Sequence, residues 1–289
     1  MYATGARATY TIPLTDGRSL ALGARTLVMG IVNVTPDSFA GSVTDPDAAA
    51  SLALRMEQAG ADIIDIGGES TRPGAEPVSE DHELARVMPV IERLAGRLSI
   101  PISIDTYKAG VAAAALSAGA SIVNDISGLG YDPDLAIVVA RSSAAVVLMH
   151  TRGRSRQMYR EAIYSDIVAE VGAELRQAMG RAEAAGINAD RVVLDPGLGF
   201  AKSADHSFAL LAALPEFNAL GRPLLIGPSR KSFLTSALGQ AAPAERDWAT
   251  AAAVTAAILF GAHIVRVHEV GPMVQVARVA DAIRQRASA

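Results

Sequence analysis

Gly60-Ala61-Asp62-Ile63-Ile64-Asp65-Ile66-Gly67 is the stretch that decides the fold. Gly60 reads as a helix C-cap, because glycine takes a left-handed backbone without a Cβ penalty. Ala61 lets the next strand start close by, and Asp62–Gly67 is apolar almost throughout rather than alternating, as a buried parallel strand is. The same join of helix to strand recurs at Gly119-Ala120-Ser121-Ile122-Val123 and Gly261-Ala262-His263-Ile264-Val265. Outward from these, further short apolar runs occupy Leu27–Val34, Pro101–Asp105, Ala144–His150, Arg191–Asp195 and Pro223–Gly227. Together with Asp62–Gly67, Ser121–Asp125 and His263–His268 they complete the set of strands.

Between the runs lie helical patterns at Ala48–Ala59, Asp81–Leu94, Ile167–Ala185 and Thr250–Phe260. Asp45, Ser79 and Ser165-Asp166 stand where N-caps belong. Eight strands, each followed by a helix, predict an α/β chain folded as a single (β/α)8 TIM barrel, typically about 250 residues. Residues 27–289 would form that barrel and 1–26 an N-terminal extension. Within the extension, Asp16-Gly17 between Thr11–Leu14 and Ser19–Leu22 is a hairpin signal, read as a cover for one end of the barrel.

Composition agrees and excludes. The chain is 50% hydrophobic but only 4% aromatic, so its core must be Ala, Val, Ile and Leu packing, which suits α/β layers. A formal net charge of -4 argues against a nucleic-acid footprint. With no cysteine, disulfides, thiolate nucleophiles and Cys-bound metals are excluded. Met1–Leu14 shows no signal-peptide pattern, and the apolar run Ala251–Phe260 falls short of the roughly 18 residues that span a membrane. A cytoplasmic protein with no membrane partner is expected.

Polar residues gather at the C-terminal ends of the strands: Asn33, Asp65, Asp105, Asn124, Asp125, His150, Asp195, Ser229, Arg266 and His268. Singly, each is as well explained by anchoring a loop. Converging on the face where barrel enzymes hold their chemistry, they describe a site. The loops beyond them are rich in Gly, Pro and hydroxyls, notably Asn33–Phe39, Gly67–Ala75 and Leu194–Lys202. Ser229-Arg230-Lys231 and Arg266-Val267-His268 close the last two strands, the usual anion corner of such barrels.

These segments resemble the dihydropteroate synthase family from about Leu27 to Ile283. The resemblance rests on Asn33-Val34-Thr35-Pro36-Asp37-Ser38-Phe39, Glu69-Ser70-Thr71-Arg72-Pro73-Gly74, Ser103-Ile104-Asp105-Thr106 and Val123-Asn124-Asp125-Ile126-Ser127-Gly128. It extends through Met149-His150, Leu194-Asp195-Pro196-Gly197, Ser229-Arg230-Lys231 and Arg266-Val267-His268, in that order. It implies a folate-synthesis enzyme that joins a dihydropterin methyl diphosphate to p-aminobenzoate and releases pyrophosphate with Mg2+ bound. It implies Asp105, Asn124 and Asp195 as pterin-binding residues, with Lys231 on the other side of the ring. Thr71, Arg266 and His268 would contact the diphosphate, with Ser229 and Arg72 nearby, and Asn33 would be the metal ligand. Phe200 and Lys202 would receive the second substrate, while Asp37, Phe39 and Pro73 would lie in closing loops. Asp105, Lys231, Asp195, Arg266 and His268 are the expected catalytic set. Sulfonamides as inhibitors and a homodimer are also implied.

Two departures stand out. After Phe39 the chain reads Ala40-Gly41-Ser42-Val43 where the family has Ser-Asp-Gly-Gly, and it is shorter there. Ala201 stands in Gly199-Phe200-Ala201-Lys202 where the family has glycine, adding a methyl at a position of backbone freedom. A barrel methyltransferase domain that binds methyltetrahydrofolate would share the pterin residues but would need no diphosphate corner. A non-catalytic pterin-binding paralogue is favoured only by the altered first loop.

Overall fold

The computed structural model describes residues 7–35, 43–71, 74–154, 158, 160 and 162–287. It opens with a hairpin of β1 (Tyr10–Pro13) and β2 (Ser19–Leu22), antiparallel with Ile12 opposite Leu20. Gly17 turns it at φ +81°, and Asp16 Oδ1 accepts the Arg18 amide at 3.0 Å. The barrel strands follow: β3 (Leu27–Asn33), β4 (Ile63–Gly67), β5 (Ile102–Asp105), β6 (Ile122–Asp125), β7 (Ala145–Met149), β8 (Val192–Asp195), β9 (Leu225–Ile226) and β10 (Ile264–Val267).

All neighbours among β3 to β10 pair in parallel, in chain order from β3 to β8, with β10 between β3 and β9. A bridge from Leu194 to Leu224 joins β8 to the start of β9, and the Leu194 amide donates to Pro223 O at 2.9 Å. The ring is thereby brought round on itself, as the strand count requires. Every strand expected from the sequence is present; β9 is trimmed to two residues.

The helices are α1 (Pro46–Gln58), α2 (Glu80–Leu94), α3 (Ala109–Ser117), α4 (Pro133–Ser142), α5 (Ile167–Ala184), α6 (Ala204–Ala212), α7 (Leu214–Phe217), α8 (Thr235–Leu238), α9 (Asp247–Leu259) and α10 (Val270–Ala287). Asp45 accepts from Ala48 N, Ser79 from His82 N, and Asp166 from Val168 N and Ala169 N, so the three caps act as read. Gly60, Gly119 and Gly261 leave their helices at φ +101°, +112° and +109°, the geometry that makes the repeated join possible.

Along each strand the side chains alternate between the helices outside and the barrel axis inside. At the N-terminal end the inward residues form one apolar cluster: Leu27, Met29, Ile63, Ile122, Ala145, Val147, Val193, Leu225 and Ile264. Ile12, Leu14 and Leu22 of the hairpin complete that cluster. The hairpin covers the N-terminal end and shares the barrel's core. On β4, β6, β8 and β10 the next inward positions are polar: Asp65, Asn124, Asp195 and Arg266.

Candidate active site

At the C-terminal mouth the strands open into a cavity of about 490 Å³. Its wall includes Asn33, Thr35, Glu69, Thr71, Asp105, Phe200, Ser229, Lys231, Arg266 and His268.

The centre is an arginine held by two carboxylates. Arg266 donates from Nε to Asp65 Oδ2 and from Nη2 to Asp105 Oδ2, each at 2.6 Å. The same Asp65 oxygen accepts from Asn124 Nδ2 at 2.9 Å. Asp65 is fully buried, and Asn124 is buried beside it. Charged hydrogen bonds of this kind are the strong ones, and they must be, since each carboxylate would be costly to bury alone. Burial pushes Asp105 up to about 7 against the pull of Arg266, with Asp65 adding to the rise.

Lys231 and Asp195 form the second charged group. Burial pulls Lys231 down to about 8, opposed by the charge of Asp195. Its Nζ donates to Leu198 O and lies 4.3 Å from the centre of the Phe200 ring. Asp195 is raised by burial and held back by Lys231 and by the Gly197 amide, which donates to Oδ1 at 2.7 Å. Asn124 and Asp195, each 5% exposed, lie next to the cavity-lining residues, Asn124 bonded to Asp65 and Asp195 facing Lys231 and Arg266.

At the anion corner, Ser229 Oγ accepts the His268 amide at 3.1 Å and sits 2.9 Å from His268 Nδ1. Thr71 reaches the same cavity from the loop after β4.

Asn33 lies at the end of β3 on the cavity wall, and next to it Thr35 Oγ1 is buried without a hydrogen-bond partner among the described residues. Among the described residues no group of three or more His, Asp or Glu could hold a metal.

Lys202 does not line the cavity. Its side chain turns under the loop after β8, where Nζ meets His150 Nδ1 at 2.8 Å, Phe200 O at 2.9 Å and His150 O at 3.2 Å. Three acceptors surround the amine, which burial holds well below the usual lysine range. His150 in turn places Nε2 2.9 Å from Glu174, and burial takes the imidazole down to about 4. The turn depends on Ala201, buried at φ +48°, so the position does require the left-handed backbone that glycine would give more cheaply. Lys202 therefore ties the ends of β7 and β8 together, whereas the resemblance placed it against the second substrate. Asp37, Phe39, Arg72 and Pro73 lie outside the described residues, as does the shortened segment at 40–42.

Other residues enter the site unassigned by the sequence reading. Glu69 lines the cavity and ties its loop down, accepting from Tyr107 OH at 2.8 Å, Lys108 Nζ at 2.5 Å and Val78 N at 3.2 Å. Its place in Gly67-Gly68-Glu69-Ser70 was the available signal. Arg246 lines the far wall from the connection between α8 and α9, with Nη1 on Arg230 O at 3.0 Å and Nη2 on Ala241 O at 2.8 Å. No strand end announced it. Asp125, by contrast, anchors a loop, accepting from Ser127 N at 2.8 Å and from Leu129 N at 2.5 Å.

The family model described as "Pterin binding enzyme" matches residues 29–268. Dihydropteroate synthase of Synechocystis sp. is 48% identical over 94% of this chain and 95% of its own length. The Bacillus subtilis dihydropteroate synthase is 45% identical over 93% and 92%. Among solved structures, the Yersinia pestis dihydropteroate synthase in a sulfonamide drug complex superposes with a TM-score of 0.90 at 40% identity, covering 95% of this chain and 99% of that one. The Xanthomonas albilineans dihydropteroate synthase with 4-aminobenzoic acid gives 0.87 at 42% identity, covering 96% and 99%. With matches that run nearly end to end and a mouth that sets buried carboxylates beside an anion corner, the chain belongs to the pterin-binding enzyme family, among its dihydropteroate synthases.

Proposed function

We propose that this site joins the methylene carbon of a dihydropterin methyl diphosphate to the amine of p-aminobenzoate, giving dihydropteroate and pyrophosphate. The observation that carries it is Arg266, which bonds the two carboxylates of the ring side and stands in the same cavity as Ser229, His268 and Thr71. A ring pocket and an anion corner thus meet at one guanidinium.

The chain's own residues then have these tasks. Asp105, Asn124 and Asp195 accept hydrogen bonds from the donor-rich edge of a pterin, and Lys231 donates from the other side. Arg266, His268, Ser229 and Thr71 bind the diphosphate and stabilise the charge it gains as it leaves. The bond between methylene carbon and diphosphate oxygen breaks with its electrons going to pyrophosphate. The cation that remains is shared with the ring and favoured by ionised Asp105 and Asp195. The amine nitrogen then bonds to that carbon and loses a proton to solvent. Phe200, beside Lys231, offers a flat face to the reacting ring.

We assign Mg2+ to Asn33, with the buried hydroxyl of Thr35, which has no hydrogen-bond partner among the described residues, as the adjacent oxygen donor. Such an ion takes few protein ligands and draws the rest from substrate and water. When bound, it would neutralise part of the charge on the leaving diphosphate. Sulfonamides are read as competitors of p-aminobenzoate. The protein is read as a cytoplasmic homodimer whose interface takes in Trp248, Val279 and Ile283, exposed apolar side chains on α9 and α10.

The test follows both products. The purified chain, given both substrates and Mg2+, should form one dihydropteroate per pyrophosphate. Tight binding of the pterin diphosphate without product would make it a binding protein instead.

A further inference from the structure

Asp65 is absent from the cavity wall, yet one of its oxygens holds two residues of the site. Its environment leaves it a single role. The side chain is 0% exposed, Oδ1 has no hydrogen-bond partner among the described residues, and Oδ2 accepts from both Asn124 Nδ2 and Arg266 Nε. A carboxylate beside Arg266 only accepts. The end of the Asn124 amide that meets it at 2.9 Å must therefore be the NH2 group, since the carbonyl end would set oxygen against oxygen. Asn124 sits opposite Asp105 in the β5–β6 register, on the inward face of the barrel. Its carbonyl is turned away from Asp65.

We propose that Asp65 is a specificity-determining positioning residue, which fixes the Asn124 amide so that the ring pocket presents an acceptor there and selects heterocycles with a donor edge. The proposal deepens the pterin reading above and rests on it. A 2-amino group offers N–H donors to a carbonyl, whereas a 2-oxo group in its place would oppose oxygen to oxygen. A site that leaves a buried polar group unpaired against the wrong ligand rejects it strongly. Without Asp65 the amide can turn over and donate to the 2-oxo group.

The experiment is equilibrium binding of 6-hydroxymethyl dihydropterin and its 2-oxo counterpart, neither bearing a diphosphate. It compares the full chain with Asp65→Leu, which fills the same space without an acceptor. The preference for the amino ring should fall by about fivefold or more; a smaller fall overturns the proposal. Mere loosening of the barrel would weaken both ligands together and leave the ratio unmoved. Should Asp65→Leu fail to fold around the stranded guanidinium, the ratio is read on Asp65→Leu/Arg266→Met, which removes that charge as well. Asn124→Ala separates the two readings. Unchanged affinity for the amino ring in Asn124→Ala would overturn the placement of the ring and this inference with it. Weakened affinity there, beside an unchanged ratio in Asp65→Leu, would overturn the inference alone.

Discussion

The two ends of the barrel's interior are built from the same strands and differ completely in what faces inward. At the N-terminal end Leu27, Ile63, Ile122, Val193 and Ile264 pack against Ile12, Leu14 and Leu22 of the hairpin. At the C-terminal end the same strands present Asn33, Asp65, Asn124, Asp195 and Arg266. One end gains stability from burying apolar area, about 1.5–3 kcal/mol per large side chain. The other gives stability up: Asp105 and Asp195 are raised and Lys231 is lowered, each chiefly by burial, so every one of them is held in a charge state the fold resists. Substitutions should therefore separate cleanly, with activity lost at one end and stability at the other.

The largest effect should come at the guanidinium. Arg266→Met should lower kcat/KM by roughly 1000-fold, read as amine-dependent pyrophosphate release, since it removes a donor to the developing charge. At the opposite end, Leu22→Ala should cost about 2–5 kcal/mol in denaturant unfolding with kcat/KM nearly unchanged. A large loss of activity there would break the separation.

A smaller effect lies in pH. Asp105 must be ionised to favour a cation, and burial raises it to about 7. Lys231 must be protonated to donate, and burial lowers it to about 8. The kcat/KM profile should thus rise through about pH 7 and fall through about pH 8. Lys231→Arg should remove the alkaline limb and Asp105→Asn the acidic one; a flat wild-type profile would contradict both assignments. The smallest effect belongs to the hairpin turn. Gly17 has φ +81° with open space around its Cβ position, so Gly17→Ala should cost only the backbone strain, about 1–2 kcal/mol by thermal unfolding, and no activity.

The same contrast explains how far the sequence could be read. Strands, caps and the Gly-Ala joins are local, and Gly60, Gly119 and Gly261 behave as their neighbours demand. Asn33, Asp105, Ser229, Arg266 and His268 were visible because strand ends point into the mouth. Asp65 was visible as a polar strand residue, but its role was not, since its partner Arg266 lies 201 residues away in the chain, on the strand beyond β3. Lys202 was misplaced for a conformational reason: spacing alone does not show that Ala201 turns left-handed and sends the next side chain under the loop. Arg246 belongs to a connection with no strand-end signal, and only the folded chain brings it to the cavity.

One variant reads both sides of the comparison at once. Lys231→Met removes a cation that the folded state disfavours. A lowered lysine pKa means that at pH 7, below both the folded value of about 8 and the ordinary 10.5, the charge costs stability, and the cost fades as pH rises between those values. Measured at pH 7, Lys231→Met should unfold at higher denaturant than the wild type while amine-dependent pyrophosphate release falls by about 100-fold or more. A variant that is less stable, or that turns over as well as the wild type, would contradict the claim that the mouth gives up stability for its chemistry.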